Sequence, residues 1–334
     1  MMGRRKWFTI SSFLHHSTTI MTLTLVSVVL LLPFYYTHQL AWSQSQAPAQ
    51  DNAYTTARTE HIQVGDINMA YKRFGQGKPI LFISGTRQTK DVWDPSLLSQ
   101  LAAATNHTVI VFDNRGMGET TVGTKPFSIE QFANDTAGLL DALHVEKADV
   151  FGASLGSFVA QELALIYPEK VDRLILHATY CGGNEAVYAS GQAFESIMTL
   201  SSPQILRNMT SEQQAMILAQ IMFPHEWLNQ HPEILNTVIQ LAPSRSASPE
   251  IIQQQGFASG TWKGSCDRLA NITQPTLLIV GDQDLLTPSA NSVMMSQRIL
   301  NSQLVIMEGT GHGAMLQVPN EFTAYIQSFL QTAK

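Results

Sequence analysis

The sequence predicts an α/β protein, a doubly wound and mostly parallel eight-stranded sheet interrupted by an inserted α-helical lid. Three observations carry this expectation. Short continuous apolar runs, such as Pro79 to Ile83, Thr108 to Phe112 and Pro275 to Val280, read as strands covered on both faces. Segments of helical periodicity separate them, and strands alternating with helices build a parallel sheet. From about Cys181 to Asn271 the alternation breaks into a helical, Met-rich stretch punctuated by Pro203, Pro224, Pro232 and Pro243.

The chain opens on Arg4, Arg5 and Lys6 and then carries no Asp, Glu, Lys or Arg from Trp7 to Gln50, with an apolar centre of 13 residues from Ile20 to Leu32. A basic start, an apolar centre and a small-residue site at Ala41-Trp42-Ser43 predict a secretory signal peptide over residues 1–43, and so a secreted or extracytoplasmic protein. The same residues admit an uncleaved anchor attaching the chain to a membrane: the run falls short of the ~20 residues of a spanning helix, but Pro33 to Trp42 can extend it. A start displaced to Met21 is the third reading. Residues 44–58, rich at first in Gln, Ser, Ala and Pro, are expected to be a linker.

Two short strands around Gly65-Asp66 predict a hairpin from Glu60 to Phe74, opening a first core segment over residues 59–180. The strand from Pro79 ends in Ser84-Gly85-Thr86, a helix follows from Trp93 to Ala104, and the strand from Thr108 ends in Asp113-Asn114-Arg115-Gly116-Met117-Gly118. A helix opened by Ser128 runs through Leu143, a further strand-helix unit lies at Asp149 to Ile166, and Val171 to Leu176 is the next strand. The lid spans residues 181–272. A second core segment, 273–334, holds the strand Pro275 to Val280, a helix near Ser289 to Leu300, the strand Gln303 to Met307 and a closing helix from Asn320 to Gln331. Gly75-Gln76-Gly77 lacks the third glycine and the helix of a dinucleotide loop and reads as a turn.

Lys and Arg number 20 against 26 Asp and Glu; without the three N-terminal basic residues the balance is −9, with no basic run left, which disfavours nucleic acid as a partner. Cys181 and Cys266 are the only cysteines, and the sequence leaves their pairing open because it does not fix their Cα separation. Asn106, Asn134, Asn208 and Asn271 each begin a glycosylation acceptor triplet. No His, Cys and acidic residues share metal-ligand spacing, so neither metal nor cofactor is expected.

The chemistry centres on Gly152-Ala153-Ser154-Leu155-Gly156, where an apolar strand runs directly into a helix. Such a nucleophile elbow places Ser154 on a strained corner, with a glycine on each side letting neighbouring backbone pass close. The following helix aims its first amides at the same point, which makes the NH of Leu155 a natural oxyanion donor. A serine hydroxyl is a poor nucleophile without a base, and the base needs a carboxylate to hold its tautomer. Strand ends supply both, at Gly281-Asp282-Gln283-Asp284 and at Gly309-Thr310-Gly311-His312-Gly313, in the order Ser, acid, His. On the residues alone Asp282 and Asp284 are equal candidates for the acid.

On these motifs, together with Asp113 to Gly118 and Pro275 to Pro288, the chain resembles the capped ester- and lactone-cleaving branch of the α/β-hydrolases over roughly residues 60 to 332. The resemblance implies that Ser154 is the nucleophile, His312 the general base and then acid, and Asp284, favoured over Asp282 by family spacing, the orienting carboxylate. It also implies the NH of Thr86 as second oxyanion donor. The family usually carries His-Gly where this chain has Ser84-Gly85. Asp113 and Arg115 are expected to be a hydrogen-bonded pair fixing their loop, and Trp93, Trp227, Trp262 and the lid methionines to serve packing, with some lining an apolar acyl pocket. The expected activity is that of an exported serine hydrolase cleaving a small-molecule carboxylic ester or lactone through an acyl-enzyme. Two other readings remain at this point: a carbon-carbon bond hydrolase or perhydrolase using the same triad, and a non-catalytic binding module on the same fold.

Overall fold

Each apolar run becomes a strand. The computed structural model describes residues 53–240 and 247–332; the expected signal or anchor, the linker up to residue 52 and Pro243 lie outside the described residues. The hairpin β1 (Glu60–Val64) and β2 (Ile67–Gly75) is followed by β3 (Lys78–Ile83), β4 (His107–Phe112), β5 (Ala148–Ala153), β6 (Val171–His177), β7 (Thr276–Gly281) and β8 (Ser302–Met307). They form one sheet in the order β1-β2-β4-β3-β5-β6-β7-β8, parallel throughout except where β2 pairs with β1 and β4.

Because side chains alternate across a strand, the central runs feed two cores. Leu81, Ile83, Ile110, Val150, Leu174, Leu176 and Leu278 pack into one, and Ile80, Phe82, Val109, Val111, Phe151, Ile175, Leu277 and Ile279 into the other. Helices cover both faces. One helical turn, α1 (Ala53–Thr56), lies inside the expected linker, and there the sequence expectation is corrected: Tyr54 is buried, packs at a tilt against Phe74 at 5.6 Å and donates to Lys90 O at 3.0 Å, so the folded body begins before residue 59. The second core receives Leu97, Leu98 and Leu101 of α2 (Pro95–Ala104), whose first turn is capped by Asp94. The first core receives α3 (Ile129–Ala142), capped by Ser128, and α4 (Leu155–Ile166).

Between β6 and β7 the chain runs through α5 (Gly191–Ser201), α6 (Pro203–Leu206), α7 (Ser211–Met222), α8 (His225–Gln230), α9 (Ile234–Gln240) and α10 (Pro249–Thr261). The two ends of this insertion are tied together at its base. Cys181 and Cys266 form a disulfide with a Cα separation of 4.9 Å. Beside it, Gln161 of α4 donates to Thr179 Oγ1 at 2.9 Å and accepts from Ser265 Oγ at 2.6 Å. The chain closes with α11 (Ala290–Ser296), α12 (Ala314–Gln317) and α13 (Pro319–Gln331), whose Phe322, Ile326, Phe329 and Leu330 complete the second core. All four acceptor asparagines, Asn106, Asn134, Asn208 and Asn271, are exposed. Among the described residues no helix is long and apolar enough to cross a membrane.

Candidate active site

Ser154 sits between β5 and α4 at φ 52° and ψ −123°, a conformation L-residues rarely adopt. Its amide donates to His177 O at 3.0 Å, across to the end of the neighbouring strand. The flanking glycines answer a steric demand: a Cβ on Gly152 would lie 2.4 Å from Gly156 O, and one on Gly156 would lie 2.0 Å from Ile83 O. Only with both side chains absent can β5 turn this sharply into α4 beside β3. Leu155 is buried at the first position of α4, where an amide has no acceptor within its own helix.

Two and three strands away from β5, the loops after β7 and β8 carry Asp284 and His312. Asp284 is buried, and its oxygens lie 2.9 and 3.1 Å from His312 Nδ1. The carboxylate also accepts from the amides of Leu286 and Thr287, each at 2.8 Å, and from Thr287 Oγ1 at 2.7 Å. Burial by itself would raise this carboxyl; the charge and hydrogen bond of His312 and the donors of Thr287 outweigh it and hold Asp284 below the usual carboxylate range. Asp282 is exposed, so it is Asp284 that meets the imidazole. The histidine loop is pinned from the insertion, with Gly313 N donating to Met222 O at 2.9 Å.

Ser154, His312 and Thr86 line one cavity of about 820 Å³. Its remaining wall is mostly apolar, with Phe158, Phe194, Met198, Leu218 and Phe257 among the contributors. A Cβ on Gly85 would lie 3.2 Å from Ser154 Cβ, which sets the Ser84-Gly85-Thr86 loop directly against the Ser154 corner.

The sequence profile described as alpha/beta hydrolase fold matches residues 78–319. The chain belongs to the alpha/beta hydrolase family. RutD of Azorhizobium caulinodans, whose name assigns it to carbamate hydrolysis, is 27% identical over 79% of this chain and 96% of its own length. The 3-oxoadipate enol-lactonase 2 of Acinetobacter baylyi is 26% identical over 80% of this chain and 94% of its own. A thermophilic esterase from Thermogutta terrifontis, solved with malate bound, aligns with a TM-score of 0.70 at 26% identity over 82% of this chain and 98% of that one.

Several residues of this alpha/beta hydrolase take positions the motifs do not announce. Ser84 is buried and its carbonyl accepts from Asn114 Nδ2 at 3.2 Å, while Gln88 Oε1 accepts from Gly85 N at 2.8 Å. Gln88 thus braces the loop from within. Asp113 and Arg115 do not pair with each other, contrary to expectation. Asp113 accepts from the amides of Lys90 at 2.6 Å and Glu119 at 2.9 Å, whereas the guanidinium of Arg115 grips Asp135 at 2.7 Å and Asp66 at 2.8 Å. The fork of an arginine reaches two carboxylates, and Arg115 spends it on tying the hairpin to α3. None of Trp93, Trp227 and Trp262 lines the cavity: Trp93 packs edge-on to Phe82, Trp227 stacks on Phe223, and Trp262 stacks on Phe158. Met198 and Met222 of the insertion do line it.

Proposed function

We propose that this alpha/beta hydrolase cleaves a carboxylic ester or lactone through an acyl-enzyme on Ser154. The observation that carries the reading is the convergence of a strained, cavity-facing serine with a histidine whose far nitrogen is held by a buried carboxylate. With Nδ1–H given to Asp284, the His312 tautomer has Nε2 unprotonated, able to take the Ser154 proton as its oxygen attacks the acyl carbon. Asp284 then stabilises the imidazolium. The NH groups of Leu155 and Thr86 receive the developing oxyanion. His312 returns its proton to the departing alkoxide, and water repeats the sequence to release the acid.

The helical insertion acts in this reading as a lid. Its residues Phe194, Met198 and Phe257 are exposed and still line the cavity, a placement suited to an apolar acyl group. Export belongs to the same reading, supported by the basic-then-apolar N-terminal sequence and by the Cys181–Cys266 disulfide, a bond typical of oxidising compartments. Replacing Ser154 by Ala is expected to lower kcat on short p-nitrophenyl esters by roughly 10³-fold or more. Wild-type turnover in a folded Ser154→Ala protein contradicts the assignment.

A further inference from the structure

Arg87 is a buried cation that the acyl transfer above does not use. It follows Thr86 on the loop after β3, holds a φ of 69° and is 7% exposed. A non-glycine residue kept there marks a position its surroundings over-determine. Its backbone NH donates to Gln255 Oε1 at 2.9 Å, and its guanidinium donates to Leu200 O at 2.6 Å and Gln214 Oε1 at 2.9 Å. All three acceptors are neutral. None of the ion pairs among the described residues includes Arg87. Burial draws its pKa down to about 10, which leaves it charged at neutral pH.

A buried cation is normally matched by a carboxylate, and here the match is missing. Further unpartnered groups lie with it. Among the described residues Arg87 Nε has no acceptor, and neither Gln255 Nε2, on the side chain that already holds the Arg87 amide, nor Ser259 Oγ, one turn further along α10, has a partner. Arg87 and Ser259 both line the cavity that contains Ser154 and His312. One wall of the cavity is therefore backed by a positive charge that has no counter-anion among the described residues, with Gln255 packed behind it.

We propose that this wall is a carboxylate subsite and that the substrate is an ester or lactone carrying a free carboxylate on its acyl part. The side of the site decides the acyl part. Strands run β3-β5-β6-β7-β8, so Arg87 lies on the β3 flank of Ser154 and His312 on the β8 flank. The leaving alcohol takes its proton from His312 and departs on that flank. The acyl group extends toward the other, past Thr86 to Arg87. This inference rests on Ser154 being the nucleophile.

The test compares mono-4-nitrophenyl glutarate with 4-nitrophenyl pentanoate, two esters of equal chain length that differ in a terminal carboxylate. The wild type is expected to favour the charged ester in kcat/KM. In Arg87→Met the ratio of the two kcat/KM values falls by about ten- to a hundredfold, chiefly through KM of the charged ester, whatever loss is common to both. Arg87→Lys, which keeps the charge and loses the fork, falls between them. An unchanged ratio in both variants makes Arg87 a strut between the core and the insertion and overturns the proposal, as does a wild-type preference for the neutral ester. Should the wild type hydrolyse neither ester, the acyl-transfer reading fails first, and thermal stabilisation by glutarate decides the subsite alone. Stabilisation of Ser154→Ala by glutarate that is lost in Ser154→Ala/Arg87→Met sustains it; no stabilisation of Ser154→Ala overturns it.

Discussion

Two carboxylates stand two positions apart on the loop after β7, and their environments separate their tasks. Asp284 is buried against His312, while Asp282 faces solvent. Asp284→Asn keeps an acceptor for the Leu286 and Thr287 amides but no longer fixes the imidazole tautomer, so kcat on an activated ester is expected to fall by roughly 10³- to 10⁴-fold. Asp282→Asn stays within a few-fold of wild type; comparable losses in both contradict the assignment. His177 supplies a second residue-scale consequence. Its ring is buried edge-on to Phe322 at 4.8 Å, with Nδ1 3.2 Å from Ile279 O. Burial, and after it the charge of His312, press its pKa down to about 4. Unfolded, the same ring accepts a proton near its ordinary pKa of about 6.5, so the unfolded state binds more protons between those values and stability falls as pH drops through that window, by up to about 3 kcal/mol. Urea midpoints measured from pH 7 to pH 4 are expected to decline less steeply in His177→Phe; parallel curves contradict this. Of these residues, Ser154, Asp284 and His312 are legible in the sequence because each sits in a short motif at a strand end. Arg87 is not, since its burial depends on Leu200, Gln214 and Gln255 more than a hundred positions away. Thr287 lies within a motif, yet its bond to Asp284 needs the folded loop.

Among the elements, the elbow is the most locally determined. Its glycines answer to backbone contacts, with Gly156 O against Gly152 and Ile83 O against Gly156, and its strand and helix are continuous with the motif. The insertion is determined at its ends. The sequence shows a helical stretch there but leaves open whether Cys181 and Cys266 meet, because pairing depends on where β6 stops and β7 begins. In the folded chain those cysteines, 85 positions apart, join the two ends of the insertion. A cross-link over a loop of that length restricts the unfolded chain and contributes about 2–4 kcal/mol. The double substitution Cys181→Ser/Cys266→Ser, or reduction of the wild type, is therefore expected to lower the denaturation midpoint, with little effect on the first esterolysis rate measured in native buffer. An unaltered midpoint contradicts the expectation. The pairing of Asp113 with Arg115 was the reverse case, a local inference overruled by distance: Arg115 reaches back to Asp66 and forward to Asp135.

At the scale of the whole molecule, the sheet places its reactive groups by topology. The loops after β3, β5, β7 and β8 open on one cavity because parallel strands deliver their carboxyl ends to the same edge. That much follows from strand-helix alternation; the order of the strands does not, since alternating chains adopt more than one. Nor does the cavity's content, since its walls come from α5, α7 and α10, whose packing against the core is not written in their periodicity. On our reading this edge carries an activated serine. Incubating the folded protein with a fluorophosphonate probe and mapping the adduct by peptide mass spectrometry tests it most directly. The expected result is one covalent phosphonyl group on the peptide containing Ser154, sharply slowed in His312→Ala and missing from that position in Ser154→Ala. A folded wild-type protein that stays unlabelled, or one labelled on a different residue, contradicts it.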